Sequence, residues 1–232
     1  MPRFLFSHAW GIFLFLATDL AWAHVPYFEH VDYTSRRPFR VFGITQSRAV
    51  YAWLEVEETR TEDVDVYTFV LAQPKRVAIG LLVPVCKGYD DFRPSFAVTG
   101  PGLPPPEETL PCSIPEGHGA IVIHDPPSDA PRESFYEMFG GKHYYRGPKF
   151  DQVLLTPGRY RIYFWDPRGH GGDYVAVLGH REVWLFTDIL RGLIYTPLIR
   201  LDWELHADRA DEFQIPFLSG DQPCTLTPVP FL

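Results

Sequence analysis

Apolar and polar residues alternate along most of this chain, and a period of two predicts β-strands. The clearest case is 49–56, where Val50, Ala52, Leu54 and Val56 alternate with larger or charged neighbours. The same pattern predicts further strands at 39–44, 64–71, 76–83, 95–98, 120–124, 160–165 and 173–178. Turn-forming residues separate these segments, so we expect many short strands joined by tight turns.

Segment 76–83 differs from the others because nearly all of its residues are apolar on both faces. Such a strand is typical of the middle of a sheet that is covered on both sides. Before 160–165, Pro157 and Gly158 occupy the positions that a type II turn prefers. The glycine-rich loop 166–172 then reverses the chain and predicts a hairpin.

After Glu182 the apolar period lengthens to three and four, which predicts an amphipathic helix over 183–205, interrupted near Pro197. The apolar positions are Phe186, Ile189, Leu190, Leu193, Ile194, Leu198 and Leu201. The opposite side carries Asp188, Arg191, Thr196 and Arg200, and Thr187 is a candidate N-cap. The apolar stripe either docks on the strands or contacts a partner or a membrane surface. Two arginines and no lysine give a poor basic face for lipid.

Prolines interrupt 101–150 repeatedly, and apart from 120–124 we interpret this segment as a long insertion. Within it, 132–150 is dense in aromatic and charged residues, so we predict a contact surface for a protein partner or a glycan. Its candidate ligand-binding residues are Arg132, Phe135, Tyr136, Phe139, His143, Tyr144 and Tyr145. In the alternative interpretation these rings are buried and cover an open face of the fold.

The N-terminus has the pattern of a secretory signal peptide, with Arg3, an apolar run and Ala21-Trp22-Ala23 at its end. Cleavage after Ala23 would place the protein in the periplasm or outside the cell. We therefore expect a signal peptide over 1–23, a β domain with its helix over 24–206, and an extended proline-containing tail over 207–232. No long apolar run follows the signal, so no transmembrane segment is expected in the mature chain.

The net charge of −8 is unfavourable for binding nucleic acid or anionic lipid, which both require a basic surface. Aromatic residues make up 16% of the chain, beside 23 prolines and 18 glycines, which suits short strands and stiff turns. Three cysteines are present. In an oxidising compartment we expect a disulfide, with Cys86 and Cys112 the favoured pair and Cys224 unpaired in the tail.

Two stretches, DVDVYTFVLAQPKRVAIGLLVP with the following FRPSFAVTGPG, and LTPGRYRIYFWDPRGHGGDYVAVLG, carry a family pattern. The D-x-D-x-Y-x-F strand, proline turn, hydrophobic strand, PG-Y hairpin and G-D-Y strand together resemble the bacterial pre-peptidase C-terminal family of secreted domains. The resemblance implies a mainly β fold, a jelly-roll-like sandwich of antiparallel sheets. It also implies an accessory module, since members are usually appended to secreted enzymes and some take part in targeting or carbohydrate contact. We expect no catalytic domain beside the module within these 232 residues.

A mature N-terminal His24 is a candidate copper ligand, because its amine and ring nitrogen can both bind one Cu(II). A second histidine would complete a histidine brace, and no spacing singles one out. The candidates are His30, His118, His124, His143, His170 and His180. The alternative is that His24 begins a flexible terminus.

Acidic loops offer a second candidate metal, structural calcium, although no twelve-residue calcium loop is present. The acidic groups are Glu62 and Asp63 with Asp65, Asp90 with Asp91, and Asp166 with Asp173. Hydrolytic motifs are absent. Ser134, His124 and Glu137 are close only in sequence, and Glu133 with Glu137 weakly resembles a glycosidase pair. The sequence therefore favours an exported, non-catalytic binding or accessory module, with a copper protein as the alternative and a glycan-active enzyme as the weaker one.

Overall fold

The computed structural model describes residues 24–55, 63–86, 88–125 and 131–202. The predicted signal peptide and the predicted tail over 207–232 lie outside these residues, as do Glu62 and Cys224. The described part of the chain therefore falls within the predicted β domain and its helix.

The described residues form eleven strands and one helix, α1, at Phe186–Arg200. The strands are β1 Val25–Phe28, β2 Phe39–Arg40, β3 Arg48–Leu54, β4 Asp65–Leu71, β5 Lys75–Pro84, β6 Ser95–Pro101, β7 His118–Ile123, β8 Ser134–Glu137, β9 Lys142–Leu154, β10 Gly158–Trp165 and β11 Gly172–Leu178. All seven further strands that alternation predicted are present, with shifts of a few residues at their ends.

Two sheets pack face to face. The first has the order β1-β3-β11-β5-β9-β8, and the second has the order β2-β4-β10-β6-β7. Neighbouring strands are antiparallel except β1 with β3 and β2 with β4, which are parallel. This arrangement confirms the predicted mainly β sandwich. Strand β5 lies between β11 and β9, as its two apolar faces predicted.

The core between the sheets is aromatic. Phe164, which is fully buried, contacts the rings of Tyr67, Phe96 and Tyr174 at centroid distances of 4.9 to 5.8 Å. Each ring stands on a different strand, so one aromatic cluster joins both sheets. Such contacts add stability beyond the area that they bury.

Three strands were not predicted. β1 lies in the segment expected to be irregular, and β8 and β9 lie largely in the expected insertion. β9 pairs with β5 from Leu154 to Tyr144 with a shift in register after Gly80. This shift explains why alternation did not predict β9, because a strand with an irregular register does not keep a period of two.

Candidate functional site

The outer face of the six-stranded sheet is where the N-terminal strand, the β8–β9 hairpin and α1 meet. Its buried cluster comprises Ala49, Tyr51, Tyr144, Val175 and Ile199. Four of these residues stand on strands, and Ile199 on α1 covers them. This face brings together three elements that are distant in sequence, so it is the best candidate for a functional site.

The helix packs on the sheet with a different side from the one that its sequence indicated. Asp188, Gly192 and Ile199 are the buried residues of α1. The period of the apolar residues placed Asp188 opposite the stripe, and its carboxylate accepts hydrogen bonds from Gln46 Nε2 at 2.8 Å and from the backbone N–H of Leu185 at 3.0 Å. Of the two interpretations of the stripe, docking on the strands is therefore not the one that the structure shows.

Two other details of the predicted helix also change. Leu185 occupies the N-cap position instead of Thr187, and the carboxylate of Asp188 caps its N–H. The helix continues through Pro197 to Arg200.

The apolar residues predicted to dock are largely the exposed ones. We call Phe186, Leu190, Leu193, Ile194 and Leu201 the outer stripe; their exposures are 74%, 46%, 61%, 61% and 41%. Val183 and Leu185, just before the helix, are also exposed. Gly192 explains this orientation, because the ring of Trp184 lies against it and leaves no room for a side chain there. The described residues thus cover the side that carries Asp188, Gly192 and Ile199, and they leave the outer stripe exposed.

The turn of the β8–β9 hairpin is fixed to the C-terminal end of α1. Arg200 donates hydrogen bonds to the carbonyl oxygens of Phe139 and Met138, both at 3.1 Å. Lys142 forms an ion pair with Asp202. These contacts hold the side chain of Met138, which is 75% exposed, beside the helix.

The carboxylate of Glu137 organises the inside of this turn. It accepts hydrogen bonds from the backbone N–H groups of Phe139, at 2.9 Å, and Gly140, at 2.5 Å. This is a structural use of the carboxylate. Glu133 forms an ion pair with Arg146 at 3.1 Å at the other end of β8. The weak glycosidase pair is therefore engaged in contacts that shape the hairpin.

The predicted contact residues divide into buried and exposed members. Tyr144 is buried under α1, and Tyr136 is half exposed. The ring of Tyr136 is tilted by 60° against His143, at 5.2 Å. Phe135, Phe139, His143 and Tyr145 are partly buried. A flat row of exposed rings, the platform that a sugar needs, is not formed by these described residues.

A pocket opens on the same face. It has an empty volume of about 320 Å³, open solvent included. The lining residues are His24, Ala49, Tyr51, Leu82, Glu137, Phe139, Tyr144, Val175 and Val177. Most of this lining is apolar, with one histidine and one carboxylate at hand, which is a common composition of binding pockets.

His24 is anchored, which is contrary to a flexible terminus. Its ring Nδ1 makes a hydrogen bond with Ser47 Oγ, and the next residue, Val25, donates its N–H to the Ser47 carbonyl at 3.1 Å. Burial lowers the pKa of His24, while the charges of Glu137 and Glu182 act in the opposite direction. A neutral ring in this position can bind or transfer a proton but carries no charge at neutral pH.

Among the described residues, no group of three or more His, Cys, Asp or Glu side chains lies close enough to hold a metal ion. His124, one of the candidate second ligands, instead bonds Ser95 Oγ at 3.0 Å and Glu108 at 2.7 Å. His143 contacts Tyr136, and His170 lies 3.6 Å from Asp166.

Most of the carboxylates considered for calcium accept hydrogen bonds within the protein. Asp63 accepts from the N–H of Glu55 at 2.7 Å, and Asp166 from the N–H of His170 at 2.8 Å. Asp173 accepts from the hydroxyl of Tyr89 at 2.5 Å. Asp90 accepts from the hydroxyl of Tyr145 at 3.3 Å.

Glu29 and Asp65 form a buried acidic pair that the sequence did not indicate. Asp65 accepts a hydrogen bond from the hydroxyl of Tyr174 at 2.6 Å, and Glu29 accepts one from the N–H of Trp53 at 3.3 Å. Burial, followed by the charge of Asp65, raises the pKa of Glu29 to about 10. Burial also raises the pKa of Asp65. The pair therefore retains a proton at neutral pH.

The hydrolytic residues are not assembled. Ser134 stands on β8 in the six-stranded sheet, whereas His124 follows β7 in the five-stranded sheet. Glu137 is part of the hairpin turn. These three residues are close in sequence, but the fold does not arrange them as a catalytic triad.

The structure does not join Cys86 to Cys112, the pair that the sequence favoured. Cys86 lies in the core between the sheets, whereas Cys112 packs beside Tyr163 and Trp165 on the outer side of the five-stranded sheet. A sheet therefore separates the two sulfur atoms.

No family model matches this chain, and no curated protein matches it. Among solved structures, the chain is similar to the 1.0 Å crystal structure of the pre-peptidase C-terminal domain of a collagenase from Bacillus anthracis. The match has 12% sequence identity and a TM-score of 0.33, and covers 65% of this chain and 99% of that chain. It is a partial match to the same family that the sequence motifs resemble. The fold class is established by the two sheets themselves.

Proposed function

We propose that this chain is an exported, non-catalytic binding module that docks another protein through the outer stripe of α1 and the adjoining turn at Met138. The observation that supports the proposal most directly is the exposure of this set, from 41% at Leu201 to 75% at Met138. Large apolar side chains that lie together on a surface are typical of an interaction site.

The chemistry of the surface favours a protein over a lipid bilayer. Two arginines of α1 are already engaged, since Arg191 pairs with Asp188 at 3.0 Å and Arg200 binds backbone carbonyls. The net charge is −8, which opposes adsorption to anionic lipid. Separately, the described residues contain no helix with the length and hydropathy of a membrane span. The partner that fits is a protein with an apolar groove and a neutral or basic rim.

The pocket offers a second contact on the same face. Phe139 lines it and is the neighbour of Met138 in the hairpin turn. A bulky apolar side chain of the partner would find apolar walls there, at Leu82, Val175 and Val177. Buried anchors of this kind dominate the energy of many interfaces.

Photo-crosslinking at defined positions in the exporting cells tests this proposal. A photoreactive phenylalanine replaces Met138 or Ile194, and the controls carry it at Phe42 or Val70, which are equally apolar and 78% and 65% exposed elsewhere on the surface. We expect one protein adduct of defined mass from the first two positions and none from the controls. The additional change Leu193→Glu should abolish that adduct, because it places a charge in the stripe.

Three outcomes would overturn the proposal. Adducts that form equally at the control positions would show non-specific contact. An adduct of twice the mass of the chain would identify a second copy as the occupant. A lipid adduct would identify a membrane surface.

A further inference from the structure

Arg132, which precedes β8, is held in a fixed orientation at one end of the sandwich. Its side chain is 6% exposed. Nη1 donates hydrogen bonds to the carbonyl oxygens of Tyr89, at 3.1 Å, and Phe92, at 3.0 Å. The guanidinium also lies over the ring of Tyr145, 4.2 Å from its centroid. These contacts use one edge and one face of the guanidinium.

The other edge has no hydrogen-bond partner in the part of the chain that the structure describes. Nε and Nη2 of Arg132 are buried, and neither donates a hydrogen bond to these residues. These two nitrogens form the fork that matches the two oxygens of a carboxylate. Arg76 shows the same fork when it is filled, since its Nε and Nη2 bind Asp151 at 2.7 and 2.8 Å. The Nε–Nη2 edge of Arg132 is therefore a buried carboxylate-binding edge of the same kind as the one in Arg76.

The charges around Arg132 are mixed: the carboxylate of Asp125 acts on it most strongly, and Arg93 and Arg168 add positive charge. Asp125 Oδ2 lies 3.6 Å from Arg132 Nη2 and 4.0 Å from Arg93 Nη1, which is too far for a hydrogen bond to either. Arg93 and Arg168 both act on Arg132, together with Asp125 and Tyr145, and burial lowers its pKa. A buried charge is costly unless an opposite charge pairs with it. An additional anion would offset that cost.

We infer that the Nε–Nη2 edge of Arg132 binds the carboxylate of a small anion, with Arg93 and Arg168 supplying further positive charge. The site is enclosed, because the side chains of Arg132 and Asp125 are 6% and 3% exposed, so the ligand must be about the size of acetate or enter by its carboxylate end. This inference is independent of the proposed docking of a protein on α1.

Nuclear magnetic resonance of the arginine Nε–H groups tests the inference directly on the purified protein. The Arg132 signal is assigned by its loss in Arg132→Lys, and Arg76→Lys serves as the matched control at the filled, exposed fork. Sodium acetate is titrated at constant ionic strength and compared with acetamide and with inorganic phosphate. The peptide acetyl-Gly-Asp-Gly-amide shows whether an acidic side chain can also enter.

We expect acetate to shift the Arg132 Nε–H signal to saturation, with acetamide and phosphate having no such effect and Arg76 unchanged. A matching shift with the peptide would identify acidic side chains as a source of the carboxylate. The absence of saturation with both carboxylates would overturn the inference. A response to phosphate alone would show that the site does not select carboxylates, and this would also overturn the inference.

The variant Asp125→Asn tests whether the carboxylate of Asp125 already occupies the Nε–Nη2 edge of Arg132. Removal of its charge should strengthen acetate binding several-fold, because Asp125 repels a second anion. If acetate binds only to this variant, Asp125 itself fills the fork in the native protein, and the inference is wrong.

Discussion

The two faces of the six-stranded sheet are both apolar, but they are covered in different ways. The inner face packs against a second sheet, and Phe164 from that sheet is fully buried there. The outer face is covered by one helix through Ile199, and the outer stripe of that helix is exposed. The inner side is thus complete within the described residues, whereas the outer side ends in an apolar surface. We expect stability to reside mainly in the inner side, and the proposed docking uses the outer side.

The largest expected effect contrasts one residue from each side. Phe164→Ala should lower the free energy of unfolding by about 3–5 kcal/mol, because it removes the ring that joins Tyr67, Phe96 and Tyr174. Leu193→Ala, at a 61% exposed position, should change it by less than about 0.5 kcal/mol. Urea denaturation of both variants measures the contrast. A loss above about 1.5 kcal/mol for Leu193→Ala would mean that the outer stripe is buried in the protein itself.

The same contrast separates what the sequence could predict from what it could not. Alternation predicted strands such as β3 and β11, because one of their faces must enter the core between the sheets. It failed for α1, because the clear apolar stripe of this helix is the exposed side, and the side that packs on the sheet carries Asp188 and Gly192. The orientation of α1 depends on the space that Gly192 leaves for the ring of Trp184 and on the hydrogen bond between Asp188 and Gln46. Neither contact can be predicted from the period of the apolar residues.

The candidate site was predicted only in part, for a related reason. Dense aromatic residues drew attention to 132–150, and the structure places that segment beside α1 and the pocket. The cluster itself depends on contacts between elements far apart in sequence, such as Arg200 with Phe139 and Lys142 with Asp202. The same holds for Glu29 and Asp65, whose pairing only the fold creates.

The second effect in size concerns the acidic pair at the end of the inner core. Because the pKa of Glu29 is raised from its ordinary 4.5 to about 10, the folded protein keeps a proton that the unfolded chain releases. The free energy of unfolding should therefore fall as the pH rises from 6 to 9, by up to about 1.4 kcal/mol per pH unit for one proton. Thermal denaturation at several pH values measures this slope.

Two variants sharpen this prediction. Glu29→Gln cannot release a proton, so its melting temperature should depend less on pH in this range. Glu133→Gln, at a mostly exposed position paired with Arg146, should keep the native slope. An unchanged slope in Glu29→Gln would assign the retained proton to Asp65, whose pKa burial also raises, and would contradict the prediction for Glu29.

The smallest expected effect concerns the outer side, where His24 lines the pocket. Copper titration by calorimetry, on protein that begins at His24, should show no tight one-to-one binding, because Nδ1 is already bonded to Ser47 Oγ. The control carries one extra residue ahead of His24, and Ser47→Ala frees Nδ1. Tight binding in the native protein that is lost in the control would favour the copper hypothesis over docking at this face. Tight binding that appears only in Ser47→Ala would instead show that this one hydrogen bond keeps the ring from the metal, and that His24 serves to anchor β1 beside the pocket.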